Sequence, residues 1–179
     1  MNRQLTGATL GALADFLGRW SGITRWEATA WGPARSATAE VEFARAAGGL
    51  AVTVAFRHTE ADGGVATVTG VLTEDPRHPG ALLYELHGAR AGVVGLPAAP
   101  WAQAGRSPEG RAPDAPARAA WDDGVLMIER RSARGTARHT LQVRDGELIH
   151  SAGLRLGAAG DFTPFMTTVC RRVPAAAPV

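Results

Sequence analysis

The chain contains no lysine at all; every one of its 19 basic side chains is arginine. Alanine, glycine and proline are abundant, a pattern of GC-rich coding, so the arginine count is discounted as a sign of function. Against 17 acidic residues the net charge is only +2, too balanced to point to a nucleic-acid partner. A single cysteine, Cys170, excludes an intramolecular disulfide and a cysteine-based zinc site. No apolar run approaches the roughly 20 residues of a membrane helix. Arg3 is not followed by a long apolar core, so no signal peptide is read there. The expected location is cytoplasmic, with neither membrane nor nucleic acid as a partner.

What the chain does have is period-two patterning. At 179 residues it has the length of one domain, large enough for a sizeable core. Leu10, Leu13, Phe16 and Leu17 first mark a short amphipathic helix over Thr9–Leu17. Trp20, Gly22, Thr24, Trp26, Ala28 and Ala30 then fall on one face of a long first strand. Strand-like runs follow over 37–44, 50–59, 65–73, 81–88, 119–122, 125–131, 136–144, 147–155 and 162–173. Asp62-Gly63-Gly64, Asp123-Gly124 and Asp145-Gly146 are hairpin signals between them. Proline and glycine gather over 89–118, read as a long loop, with Trp101 a candidate lid residue and 91–94 a short strand. Residues 1–8 and 174–179 read as mobile ends. The expected fold is all-β: one closed antiparallel barrel of about nine or ten strands over 1–179, with a short N-terminal helix at one end.

Closure carries its own signature. Gly18-Arg19-Trp20 opens the first strand and Arg171-Arg172 closes the last. In a closed barrel these strands meet, so a tryptophan ring and an arginine stem can pack across the seam.

The Asp145-Gly146 turn fixes a register. A two-residue turn pairs Arg144 with Glu147, hence Val143 with Leu148, Leu141 with His150 and His139 with Ala152. His139 and His150 then share the apolar, inward face as diagonal neighbours, about 6–8 Å apart at the backbone. Such a pair is either a hydrogen-bonded polar element in the barrel, or a proton relay or half a metal site. No carboxylate or third histidine lies at helpful local spacing, so no metal is expected. His58 lies on an apolar face with Phe56 and is expected to approach Val65 and Thr67. Tyr84 shares a face with Leu82 and Leu86 and presents its hydroxyl inward. Trp20 and Trp26, with Gly22 and Thr24 between them, leave a gap suited to a flat apolar ligand, unless Trp20 merely plugs the floor. The candidate ligand-binding residues are Trp26, Phe56, His58, Tyr84 and Leu141. Were the protein an enzyme, Tyr84, His139 and His150 would be its catalytic groups.

Gly18-Arg19-Trp20-Ser21-Gly22, Ala47-Gly48-Gly49-Leu50, Phe165-Met166-Thr167 and Arg171-Arg172 together resemble a bacterial lipocalin-like barrel family of unknown function. That family belongs to the calycin superfamily and is related to nitrobindin and fatty-acid-binding proteins. The resemblance runs over roughly 16–173 and fails across the 90–118 loop. It implies a barrel with an internal pocket. Nitrobindin-type relatives hold haem through a histidine on the last strand. Here that stretch reads Pro164-Phe165-Met166-Thr167 without a histidine, so neither haem nor any other cofactor is expected. Similar barrels in antibiotic pathways cyclise polyketide chains. Two functions therefore stay open. One is a barrel that binds a hydrophobic small molecule. The other is a cofactor-independent cyclase or isomerase of a polyketide- or terpenoid-like intermediate in natural-product biosynthesis, acting by positioning. A homodimer is left open alongside a monomer.

Overall fold

The computed structural model describes residues 10–30, 32–78, 80–91, 117–132, 135–157 and 160–174, with the side chains of 86–91 and 132 outside the description. The two ends, the span 92–116 and with it Trp101 lie outside the described residues.

Ten strands form: β1 (Gly18–Trp26), β2 (Arg35–Ala46), β3 (Ala51–Thr59), β4 (Val65–Glu74), β5 (Leu82–Ala91), β6 (Ala117–Asp122), β7 (Val125–Ser132), β8 (Gly135–Arg144), β9 (Glu147–Leu156) and β10 (Thr163–Arg172). Each pairs antiparallel with its neighbours in sequence, and β1 pairs with β10 to close the barrel. Strict alternation drives this arrangement. Along β2, Ala37, Ala39, Val41 and Phe43 are buried while Ser36, Thr38, Glu40 and Glu42 are exposed. A one-residue slip would put glutamates inside, so the register is pinned by burial.

The hairpins are pinned by their turns as well. Asp123 and Gly124, and Asp145 and Gly146, all have positive φ. That is the backbone of a two-residue turn whose twist matches paired strands. The β8–β9 register follows as expected from sequence, with Leu141 opposite His150 and His139 opposite Ala152. In the β3–β4 pair His58 lies opposite Ala66, between the Val65 and Thr67 it was expected to approach, which pair with Thr59 and Arg57. Here a five-residue loop replaces a tight turn. The Glu60 N–H donates to the Gly64 carbonyl (2.8 Å), and the Gly64 N–H donates to Asp62 Oδ1 (2.9 Å).

Three boundaries depart from the sequence reading. The first strand ends at Trp26, and Ala28 and Ala30 are exposed. β5 runs on to Ala91 and β6 begins at Ala117, which narrows the expected 89–118 loop from both sides. The helix is a 3-10 helix over Gly11–Phe16. Its apolar residues explain the choice. Leu10, Leu13 and Phe16 recur every three residues, the period of a 3-10 turn, and all three are buried on one face. Six residues without a side-chain cap are too few to sustain an α-helix by themselves.

This short helix plugs one end of the barrel. The Phe16 ring meets Phe43 at 5.4 Å and Trp121 at 5.7 Å, both edge to face. The Phe16 carbonyl accepts a hydrogen bond from the Trp20 indole N–H (2.7 Å). Arg172, paired with Trp20 across the seam, lays its guanidinium over the indole at 4.3 Å. The same guanidinium donates to the Leu17 carbonyl and to the Asp15 carbonyl (2.6 Å for the latter). One arginine thus ties the last strand to the first strand and to the end of the plug.

Farther along the seam the two backbones approach closely. A Cβ on Gly22 would lie 1.9 Å from the Val169 carbonyl oxygen and 2.6 Å from the Cys170 Cα. Backbone cannot yield as a flexible side chain does. Gly22→Ala is therefore expected to cost about 3 kcal/mol or more of stability. Gly11→Ala, with open space around its Cβ, is expected to leave stability within about 0.5 kcal/mol of wild type. Urea unfolding midpoints of the two variants check this; equal midpoints would contradict the close approach.

Candidate functional site: an apolar cavity with a histidine pair

Inside the barrel lies a cavity of ≈ 560 Å³ of atom-free space including its mouth. The lining comes from inward positions of eight strands: Phe43 of β2, Val54 and Phe56 of β3, Val68 and Leu72 of β4, Tyr84 of β5, Leu126 and Ile128 of β7, His139 and Leu141 of β8, His150 of β9 and Met166 of β10. Tyr84, His139 and His150 are its only polar side chains among the described residues.

The two histidines meet as the register requires. His139 Nδ1 and His150 Nε2 are 2.9 Å apart, a hydrogen bond with one proton between them. The rings lie 5.2 Å apart, and the Phe56 ring covers His150 from 5.0 Å. Burial disfavours the charged form of both. It pushes His139 down to about 4. His150 falls well below its ordinary value, through burial first and then through the neighbouring His139 and His58. Both are neutral at neutral pH. Burial likewise pushes the Tyr84 hydroxyl far above its ordinary range, so it stays protonated. The Tyr84 ring lies over Gly70, where a Cβ would sit 2.3 Å from the ring. A glycine inside a strand often marks such a close approach, and Gly70 is the signal in the sequence for where this ring goes.

Phe56, Tyr84, Leu141, His139 and His150, each named from strand parity, are therefore brought together around one cavity. Trp26 and His58 are not in its lining. They lie toward the end of the barrel opposite the plug, where the Trp26 ring meets His58 edge to face at 5.3 Å. The Arg35 guanidinium stands 4.6 Å over the same indole. His58 stacks on Phe56 at 6.4 Å, one ring removed from the cavity. Burial, then the Arg35 charge, holds His58 at about 4.

The space expected between Trp20 and Trp26 is closed. At Gly22 the β10 backbone fills it. At Thr24 the hydroxyl is bonded to that of Thr168 (2.7 Å), both side chains fully buried.

Phe43, Val54, Val68, Leu72, Leu126, Ile128 and Met166 were not anticipated as lining. The Asp123-Gly124 turn carried the signal for two of them. The same arithmetic applied there puts Leu126 opposite Trp121 and Ile128 opposite Ala119, on the inward face. Among the described residues no group of three or more His, Cys, Asp or Glu side chains could hold a metal ion.

No protein-family model and no curated protein sequence matches the chain. A solved structure described as EF1p2_mFAP2b bound to DFHBI is similar to it with a TM-score of 0.42 and 11% identity, over 92% of this chain and 99% of that one. The barrel assignment rests on strand pairing, not on that likeness. The resemblance read in the sequence thus holds at the level of a closed ten-stranded antiparallel barrel.

Three buried neutral histidines make stability depend on pH. Unfolded histidines protonate near 6.5, while His58 and His139 in the fold resist down to about 4 and His150 lower still. Between those limits the unfolded chain binds more protons. Stability is therefore complete above about pH 6.5 and is lost as pH falls toward 4, by up to about 1.4 kcal/mol per pH unit for each histidine. Urea midpoints measured from pH 8 to pH 4 are expected to fall below pH 6.5. The fall is expected to be shallower in His58→Phe, which keeps the ring contacts and loses the proton site.

Proposed function

We propose that this chain is a single lipocalin-like barrel domain that binds a hydrophobic small molecule in its internal cavity. The observation that carries the reading is the cavity itself: a space walled by aromatic and aliphatic side chains, with three polar groups, inside a closed barrel. Sites for small apolar ligands have this make-up of apolar wall and few placed polar groups. A preformed wall also spares a ligand the cost of ordering its own site. The working residues are Phe56, Leu141 and Tyr84, with His139 and His150 as the polar element. The cyclase or isomerase alternative would use the same cavity and the same three polar groups. No observation favours it over binding alone, because each of those groups is equally explained by orienting a bound molecule.

Native mass spectrometry of protein isolated from its own host is expected to show one co-purifying small molecule per chain. In vitro, calorimetry with naphthalene is expected to give saturable binding at one site. Val68→Phe, which enlarges a partly buried residue of the wall, is expected to weaken that binding at least tenfold while leaving the melting temperature unchanged or raised. Naphthalene binding that is unaffected by Val68→Phe would count against an internal site.

A further inference from the structure

The Tyr84 hydroxyl is the polar group of the cavity wall that has no task inside the fold. Gly70 lets its ring lie against β4, since a Cβ there would meet Cε2, Cζ and the hydroxyl oxygen. The phenol end thus sits over β4, one inward position from Val68 of the same wall. Leu72, opposite Tyr84, and Leu82, two residues before it, are fully buried, whereas Tyr84 is half-buried. Strand parity turns its exposed surface inward, onto the cavity that it lines. Its oxygen has no hydrogen-bond partner among the described residues, and burial alone holds its proton on. Yet it is not one of the polar atoms sealed from accessible space, as His150 Nδ1 and His58 Nε2 are. Polar groups inside proteins are nearly always paired, so an unpartnered hydroxyl bordering open space calls for a partner from outside the chain. A lone water would find this hydroxyl among apolar side chains, fewer partners than a buried water takes.

The chemistry of the wall says which partner suits. The Tyr84 hydroxyl is protonated at neutral pH, so it has a hydrogen to give. The other two polar side chains are spent. His139 Nδ1 and His150 Nε2 are bonded to each other, His150 Nδ1 is sealed off, and His139 has a further contact of its own. A carbonyl oxygen only accepts; it takes the Tyr84 hydrogen and leaves nothing unmet. A ligand hydroxyl brings a second hydrogen. Whichever way two hydroxyls bond, one hydrogen is left over in apolar surroundings, which costs affinity. A ligand with a formal charge would meet no arginine and no carboxylate in the described wall.

We propose that the cavity takes a neutral apolar molecule bearing one carbonyl oxygen, and that Tyr84 recognises it by donating its hydroxyl hydrogen to that oxygen. This rests on the reading of the barrel as a small-molecule binder and adds the ligand's chemical class. The ring already lies in place over Gly70, so the donor is oriented before the ligand arrives and little ordering is left to oppose binding.

Tetralin, 1-tetralone and 1-tetralol share one bicyclic frame; they carry no oxygen, an acceptor, and an acceptor with a donor. In calorimetry at pH 7.5, 1-tetralone is expected to bind about tenfold tighter than 1-tetralol. Tyr84→Phe keeps the ring over Gly70 and orphans no partner within the described residues. It is expected to weaken 1-tetralone about tenfold and not to weaken tetralin. Infrared spectroscopy of the wild-type complex gives a readout that does not depend on the variant folding. The carbonyl stretch of bound 1-tetralone is expected below its frequency in hexane, and in Tyr84→Phe it is expected to return toward the hexane value. A ketone whose stretch matches hexane in the wild type, a ketone whose affinity is indifferent to Tyr84→Phe, or an alcohol that binds tighter than the ketone overturns the inference. In each of those cases tetralin binding that Val68→Phe blocks leaves the internal site standing. Failure of all three probes to bind overturns both.

Discussion

Everything in this molecule depends on the pairing of β1 with β10. A ten-stranded sheet left open would present two long edges, each a row of unpaired N–H and C=O groups. Closure removes both edges and turns a sheet with one wet face into a wall with an inside. Seven consecutive residue pairs, from Trp20 with Arg172 to Trp26 with Met166, make the joint. Backbone hydrogen bonds alone would allow it to slide. Gly22 prevents that by admitting the opposing backbone where any side chain would collide. Trp20 and Arg172 prevent it at the plugged end, where a guanidinium stacked on an indole also holds two carbonyls at the end of the 3-10 helix. The buried hydroxyl pair of Thr24 and Thr168 adds a third point of registration midway along the seam.

A wall held this firmly does not collapse onto its contents. The interior is filled at one end by Phe16, Trp20 and Phe43, and toward the other by Trp26 and His58 over small Ala37 and Ala39. Between them the aliphatic side chains of β3, β4, β7 and β8 face one another without meeting, and the cavity is what remains. Close packing would add stability, since each unfilled methyl-sized volume costs on the order of 1 kcal/mol. A fold that leaves such a space has stability to gain from a molecule that fills it.

The histidines couple this interior to the solvent outside. Each is carried inward by strand parity, and each is held neutral because apolar surroundings cannot solvate its charge. The same desolvation makes the barrel acid-sensitive.

Much of this was legible in the sequence, for local reasons. Period-two alternation sets which side chains face inward, and Asp-Gly at positive φ sets hairpin register, so the placing of His139 beside His150 followed from residues 136–154 alone. The meeting of Trp20 with Arg172 was legible because a closed meander has only one pair of strands left to join. Other features were decided by contacts between segments far apart in the chain. Alternation cannot reveal how near two strand backbones come, so Gly22 reads as empty space when it is in fact where β10 enters. Parity says that Trp26 and His58 point inward, but not at what depth; the stagger of the strands puts them toward the end of the barrel, one ring beyond the cavity. The size of that cavity depends on how side chains from eight strands fail to touch. That is a property of three-dimensional packing, which no single strand's pattern contains.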